Sequence, residues 1–167
     1  TELVAFFQQR YRGPNPEDPD TWTGSISQEP LLVDRAYFEN LTAAGIPWGF
    51  VSGATRPSAN YVLDRRLGLV DPPLVAMGDA PDKPDPTGLI GLADRLDPTG
   101  SWPVVYAGDT VADILTVVQA RNQVADRRWY AVGILPPHVQ PPEATDPAIA
   151  QAYGDRLRAA GADQVLD

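Results

Sequence analysis

The chain has 167 residues, 43% of them hydrophobic, enough for one domain with a buried core and a small appendage. A formal net charge of -9 and a pI near 4.4 argue against a nucleic-acid or anionic-membrane partner held by charge neutralisation. The absence of cysteine excludes disulfides, thiolate catalysis and zinc-thiolate sites, and no run approaches the ~20 continuous apolar residues of a membrane span, so a soluble, cytoplasmic protein is expected.

Leu3, Val4, Phe6, Phe7 and Tyr11 recur at spacings of three and four within TELVAFFQQRYR, which predicts an amphipathic helix. The run from Arg12 to Gly24 is dense in Pro, Asp and Gly and reads as a loop or hinge. DRAYFENLTAAG predicts a helix capped by Asp34 and stopped by Gly45, leading into the strand IPWGFVS. Pro57 suits the first turn of a helix through Asn60, Leu63 and Leu67. PLVAM reads as a short buried strand, and DPTGLIGLADRL as a helix with Asp85 as cap and Pro86 at its first position. The strand PVVYA, the helix VADILTVVQARN, the strand WYAVGIL, the Pro-rich loop PPHVQPPEATDP, the helix AIAQAYGDRLRAAG and the strand ADQVL complete the chain. Strand and helix alternate, so the expected class is α/β, a parallel sheet with helices on both faces. In such sheets ligands sit beyond the carboxyl ends of the strands.

Three polar stations follow strand ends. In FVSGATR, Ser52 and Gly53 leave a strand, and a hydroxyl with an adjacent N–H could hold an anionic oxygen; a plain turn and helix cap is the alternative. Arg56 follows one helical turn later, as a contact for a second anionic group of a substrate or as a helix-end ion pair. In DKPDPTGL, Lys83 could reach inward as a point charge on a phosphate, or stay solvated. In GDTVAD, Asp109 and Asp113 fall on the first turn of a helix, where hard oxygen ligands suit Mg²⁺; an N-cap aspartate with an exposed neighbour is the alternative. The pair needs a neutralising partner, because desolvating unpaired charge is costly. The lone histidine, His138, is expected at the surface, and Trp22, Trp48, Trp102 and Trp129 are expected to serve packing.

Serine, lysine and paired aspartates in that order, each after its own strand, resemble the haloacid dehalogenase-like hydrolase superfamily, in the branch whose helical cap is inserted between the first and second motifs. The resemblance makes VSGATR the second motif, with Ser52 on the phosphoryl oxygen, and Lys83 of DKPDP the third. It makes GDTVAD the fourth, with Asp109 and Asp113 as the metal residues, Asp109 as Mg²⁺ ligand and Asp113 as a supporting carboxylate. It implies a Rossmann-like core over residues 29–167 and, in residues 1–28, the carboxyl-terminal part of a helical cap with its hinge. The implied activity is that of a Mg²⁺-dependent phosphatase on a small phosphorylated metabolite, with Ser52, Gly53, Arg56 and Lys83 binding substrate and Ser52, Lys83, Asp109 and Asp113 serving catalysis.

One motif departs from the pattern. The family's nucleophile is the first aspartate of an Asp-x-Asp motif on the opening strand, and the second acts as general acid and base. Asp18-Pro-Asp20 and Asp82 to Asp85 are the candidates, and neither follows an apolar run; Asn15 and Pro16 also argue against a central strand there. A missing central strand would leave buried backbone groups unpaired at ~1–3 kcal/mol each. The expectation is therefore that the nucleophile lies in an amino-terminal segment beyond these residues. The alternative is a catalytically incomplete binding or assembly module on the same scaffold. A receiver-like domain ranks last, since Lys83 precedes Asp109.

Overall fold

The computed structural model describes residues 2–144 and 146–167. Thr1, placed by the sequence at the head of the first helix, and Thr145 of the Pro-rich loop lie outside the described residues. The chain divides into two compact units, Thr1–Met77 and Gly78–Asp167.

In the first unit the predicted opening helix forms as α1 (Glu2–Arg12). Short 3-10 turns at Pro19–Thr21 and Ser25–Ser27 occupy the loop that follows. Helix α2 (Arg35–Ala43) begins where Asp34 accepts the Tyr37 N–H at 3.1 Å, and Gly45, at φ 70°, ends it in the left-handed conformation. Strand β1 (Phe50–Val51), helix α3 (Arg56–Asn60) with its π-turn extension Tyr61–Arg66, and strand β2 (Leu74–Val75) follow. β1 and β2 pair in parallel, Phe50 opposite Leu74 and Val51 opposite Val75. The strand predicted over IPWGFVS is shortened to its last residues, because Pro47 has no N–H to give a ladder. Phe38, Leu63, Leu67, Leu69 and Leu74 form the core, with Trp48 and Phe50 rings 4.9 and 5.3 Å from Phe38.

The segment expected as cap and hinge is bonded into this unit through Arg12, which is 7% exposed. Its guanidinium donates to Ser58 Oγ at 3.0 and 3.2 Å, to Thr55 Oγ1 at 2.8 Å and to the Pro16 carbonyl at 3.2 Å. The Trp22 ring covers it at 4.5 Å.

The second unit comprises α4 (Thr87–Leu96), β3 (Val104–Gly108), α5 (Val111–Gln123), β4 (Trp129–Ile134), α6 (Pro147–Ala160) and β5 (Gln164–Leu166). The strands run parallel in the order β3-β4-β5, with Gly108 opposite Gly133 and Gly133 opposite Val165. Helix α5 packs on β3 and β4 and between α4 and α6; its Ile114, Val117 and Ala120 have no exposed surface. Burial of Ile114 and Val117 stabilises the unit by about 1.5–3 kcal/mol each. The cap of α4 differs from the prediction by one residue: Pro86 takes the cap position, while Asp85 accepts the Thr87 N–H at 2.9 Å from further out. Trp22 and Trp129 are buried, but Trp102 is 53% exposed and contributes little to packing.

Parallel strands flanked by helices make up both units, as the alternation of the sequence implies. Among the described residues no helix is long and apolar enough to cross a membrane.

Candidate functional site

Strand β3 ends at Gly108, and the chain turns through Asp109 and Thr110 into α5. Thr110 is the N-cap, and its Oγ1 accepts the Asp113 N–H at 3.1 Å. Asp113 answers by accepting the Thr110 N–H at 3.0 Å and the Thr110 hydroxyl at 2.6 Å through Oδ2. This reciprocal capping satisfies two helix-start donors and locks the Asp113 side chain against the end of the strand.

The other oxygen, Oδ1, accepts Lys83 Nζ at 2.5 Å and the Tyr106 hydroxyl at 3.0 Å. Tyr106 Oη also lies 3.4 Å from Lys83 Nζ. Asp113 is only 3% exposed, yet each carboxylate oxygen has two donors, which resolves the cost of burying the charge. Burial by itself pushes the Asp113 pKa up, but the hydrogen bonds from Lys83 and Thr110 and the ammonium charge outweigh it and hold the carboxyl below its usual range. Burial foremost, and then the Asp113 charge, push the Tyr106 hydroxyl pKa up, so Tyr106 stays a neutral donor.

Asp109 is the contrasting residue. It is exposed, its backbone carbonyl accepts the Tyr153 hydroxyl at 2.8 Å, and its carboxylate enters no ion pair among the described residues. Of the two aspartates in GDTVAD, Asp109 thus presents a carboxylate ready for a cation, whereas Asp113 has its donors already. Among the described residues no three acidic or histidine side chains gather into a metal cage. The exposed Asp109 carboxylate is a hard oxygen donor of the type Mg²⁺ takes, one or two at a time, alongside water and phosphate oxygens.

The serine station lies in the first unit. Ser52 directly follows β1; its N–H donates to the Val75 carbonyl at 2.8 Å and its Oγ accepts the Ala54 N–H at 3.1 Å. Gly53 is exposed next to it, and Arg56 is the exposed first residue of α3. Ser52, Gly53 and Arg56 share one loop at the carboxyl end of β1, and Lys83, Asp109 and Asp113 share one cluster at the carboxyl end of β3.

Neither Asp-x-Asp candidate ends a strand. Asp18 caps a 3-10 turn by accepting the Asp20 N–H at 3.1 Å, and Asp20 pairs with Arg65. Asp82 and Asp85 close a turn through a backbone bond of 3.0 Å. His138 is exposed, as expected, with its ring edge-on to Tyr153 at 6.2 Å.

Four participants escape the sequence reading. Thr110 is visible in hindsight as a Thr-x-x-Asp capping signature, and Tyr106 lies on the strand that ends at the site. Gly108 and Tyr153 carry no local signal, because their roles are set by residues packed against them.

A family model for the haloacid dehalogenase-like hydrolase matches residues 28–121. Among solved structures, the chain is similar to a hydrolase from Pseudomonas syringae, at 19% identity and a TM-score of 0.58, over 80% of this chain and 53% of that one. It is also similar to a haloacid dehalogenase-like hydrolase from Bacteroides fragilis, at 22% identity and a TM-score of 0.53, over 78% of this chain and 53% of that one. At these identities the likeness is one of fold. The chain spans about half the length of both structures. No curated protein matches it. With the matched segment reaching from before the serine station through Asp109 and Asp113, the chain belongs to the haloacid dehalogenase-like hydrolase family.

Proposed function

We propose that these residues form the phosphate-handling part of a Mg²⁺-dependent hydrolase of small phosphorylated metabolites, working in a soluble, cytoplasmic setting. The observation that carries this reading is Lys83 Nζ held 2.5 Å from the buried Asp113 carboxylate, next in sequence and fold to the exposed Asp109. Lys83 keeps 21% of its side-chain surface exposed, so its ammonium is oriented without being buried away from a ligand.

In this reading Lys83 meets a phosphoryl oxygen as a point charge, and Asp113 and Tyr106 hold it in place, so that little reorganisation is needed as charge develops. Asp109 would hold Mg²⁺, which when bound supplies Lewis-acid neutralisation of the phosphate. Within the first unit, Ser52 Oγ, the Gly53 N–H and Arg56 offer a hydroxyl, a backbone donor and a guanidinium of the kind that binds an anionic substrate group. The nucleophilic aspartate of an aspartyl-phosphate route is contributed from outside these 167 residues, because Asp18, Asp20, Asp82 and Asp85 are engaged in turns and an ion pair.

The same observation about those aspartates favours a second reading, a binding module that holds a phosphorylated ligand without cleaving it. Release of phosphate from p-nitrophenyl phosphate by the full-length polypeptide that carries these residues, measured with Mg²⁺ and with EDTA, separates the two. The hydrolase reading expects release that requires Mg²⁺ and is lost in Asp109→Asn. Absence of release, with methylphosphonate binding that still depends on Lys83, would establish the binding module instead.

A further inference from the structure

The peptide that joins Asp109 to Thr110 is held at both of its polar ends. Its carbonyl, that of Asp109, accepts the Tyr153 hydroxyl at 2.8 Å, and its N–H, that of Thr110, donates to Asp113 Oδ2 at 3.0 Å. A peptide is planar, so two opposed anchors fix its orientation. On the other side of Asp109, Gly108 is held in the ladder of β3 and β4 opposite Gly133. The backbone is thus pinned before and after Asp109, which sets the direction in which its side chain leaves the turn. One anchor is local, three positions along the chain, and the other comes from α6, 44 positions away. Tyr153 reaches the turn because Leu157, buried one turn further along the same face of α6, seats the helix. Leu157 packs on Gly133, where a β-carbon would fall 2.9 Å from Leu157 Cδ1. Asp109 is exposed, so water could satisfy its carbonyl; the Tyr153 bond orders the turn rather than rescuing a buried group.

Resting on the role proposed for Asp109 as the Mg²⁺ ligand, we infer that Tyr153 is a positioning residue of the metal site, which by clamping the Asp109–Thr110 peptide sets its preference for Mg²⁺ over Ca²⁺. Mg²⁺ demands a near-ideal octahedron with ligands at about 2.0–2.1 Å, whereas Ca²⁺ accepts longer and more flexible arrangements of oxygens. A carboxylate on a pinned backbone suits the stricter ion. With the carbonyl anchor gone, the peptide is held only through the Thr110 N–H, and a turn free to adjust favours the more tolerant ion. Groups that orient a ligand without touching the metal govern affinity by about 10–100-fold.

The test is calorimetric titration of Mg²⁺ and, separately, of Ca²⁺ into the full-length polypeptide that carries these residues, unaltered and as Tyr153→Phe and Asp109→Asn. Tyr153→Phe keeps the ring and removes only the hydroxyl. It is expected to weaken Mg²⁺ about tenfold and Ca²⁺ by no more than about twofold, so that the ratio of the two affinities falls at least about fivefold. Near-UV circular dichroism and the thermal midpoint, both measured without metal, should stay as they are in the unaltered protein. A ratio unchanged in Tyr153→Phe, whether both ions weaken alike or neither does, would overturn the assignment. So would a lowered midpoint without metal, since the hydroxyl would then be holding the fold. In either case a tenfold loss of Mg²⁺ affinity in Asp109→Asn leaves the metal reading standing. Mg²⁺ affinity indifferent to Asp109→Asn would overturn that reading and the role of Tyr153 with it.

Discussion

Asp113 fills the space that a side chain on Gly108 would need: a β-carbon at position 108 would fall 2.5 Å from both Cβ and Cγ of Asp113 and 2.8 Å from its Oδ2. The glycine of GDTVAD is therefore required by close approach, since the backbone end of β3 and the first turn of α5 meet across it. Gly108→Ala is expected to push Asp113 off its four donors and to cost about 1–3 kcal/mol from overpacking. The urea midpoint should fall accordingly, and methylphosphonate affinity should fall with it.

Asp113→Asn removes the charge opposite Lys83 and introduces an amide that would face the Lys83 ammonium or the Thr110 N–H with a donor. Breaking a buried pair from one side costs several kcal/mol; with Lys83 partly exposed, about 3 kcal/mol is expected. Adding Lys83→Met to Asp113→Asn should recover part of that loss, as the double-mutant cycle of a directly coupled pair requires. Strictly additive effects of the two substitutions on the denaturation midpoint would show that the pair is not coupled.

The alkaline limb of stability should depend on Tyr106. Burial and the Asp113 charge raise its pKa above the ordinary 10.0, so the folded state holds the phenolic proton more tightly than the unfolded chain. The sign follows: this stabilisation is fully present below pH 10 and is lost as pH rises beyond it, at up to about 1.4 kcal/mol per pH unit. Tyr11 and Tyr153 shift in the same direction, so the informative comparison is with Tyr106→Phe. That variant should show a shallower decline in thermal midpoint above pH 10, and an identical decline would contradict the assignment.

Arg12 should behave as a strut of the first unit. Arg12→Ala leaves Ser58, 3% exposed, with only the 3.3 Å bond from Thr55 Oγ1 and uncovers Trp22, with an expected loss of about 2–3 kcal/mol. Arg12→Lys should rescue little, because an ammonium cannot reach Ser58, Thr55 and the Pro16 carbonyl in one fork. Full recovery of the urea midpoint in Arg12→Lys would show that charge alone suffices.

Asp109→Asn should separate metal binding from folding. The residue is exposed and outside the buried network, so stability should change by no more than about 0.5 kcal/mol. Mg²⁺ affinity, read by calorimetry, should fall at least tenfold, whereas unchanged affinity would place the cation elsewhere.

Much of this molecule is written locally. The alternation of apolar runs yielded strands and helices in their observed order, and short-range chemistry marked their ends. Asp34 caps its helix at i to i+3, while Gly45 and Gly161 adopt the left-handed turn that stops theirs. The serine and aspartate stations were also legible, because Ser52 and Asp109 follow directly on strands, whereas Lys83 lies in a turn well beyond the end of β2. Tertiary structure decided the rest. Lys83 reaches Asp113 across 30 positions, and Arg12 reaches Ser58 across 46. Which aspartate of GDTVAD is buried and which exposed depends on Thr110, Tyr106 and Lys83 converging on one of them. Periodicity and capping are set within one or two turns of chain, so a sequence displays them directly. Contacts between distant residues are set by sheet register and helix packing, which arise only when the whole unit closes on its core.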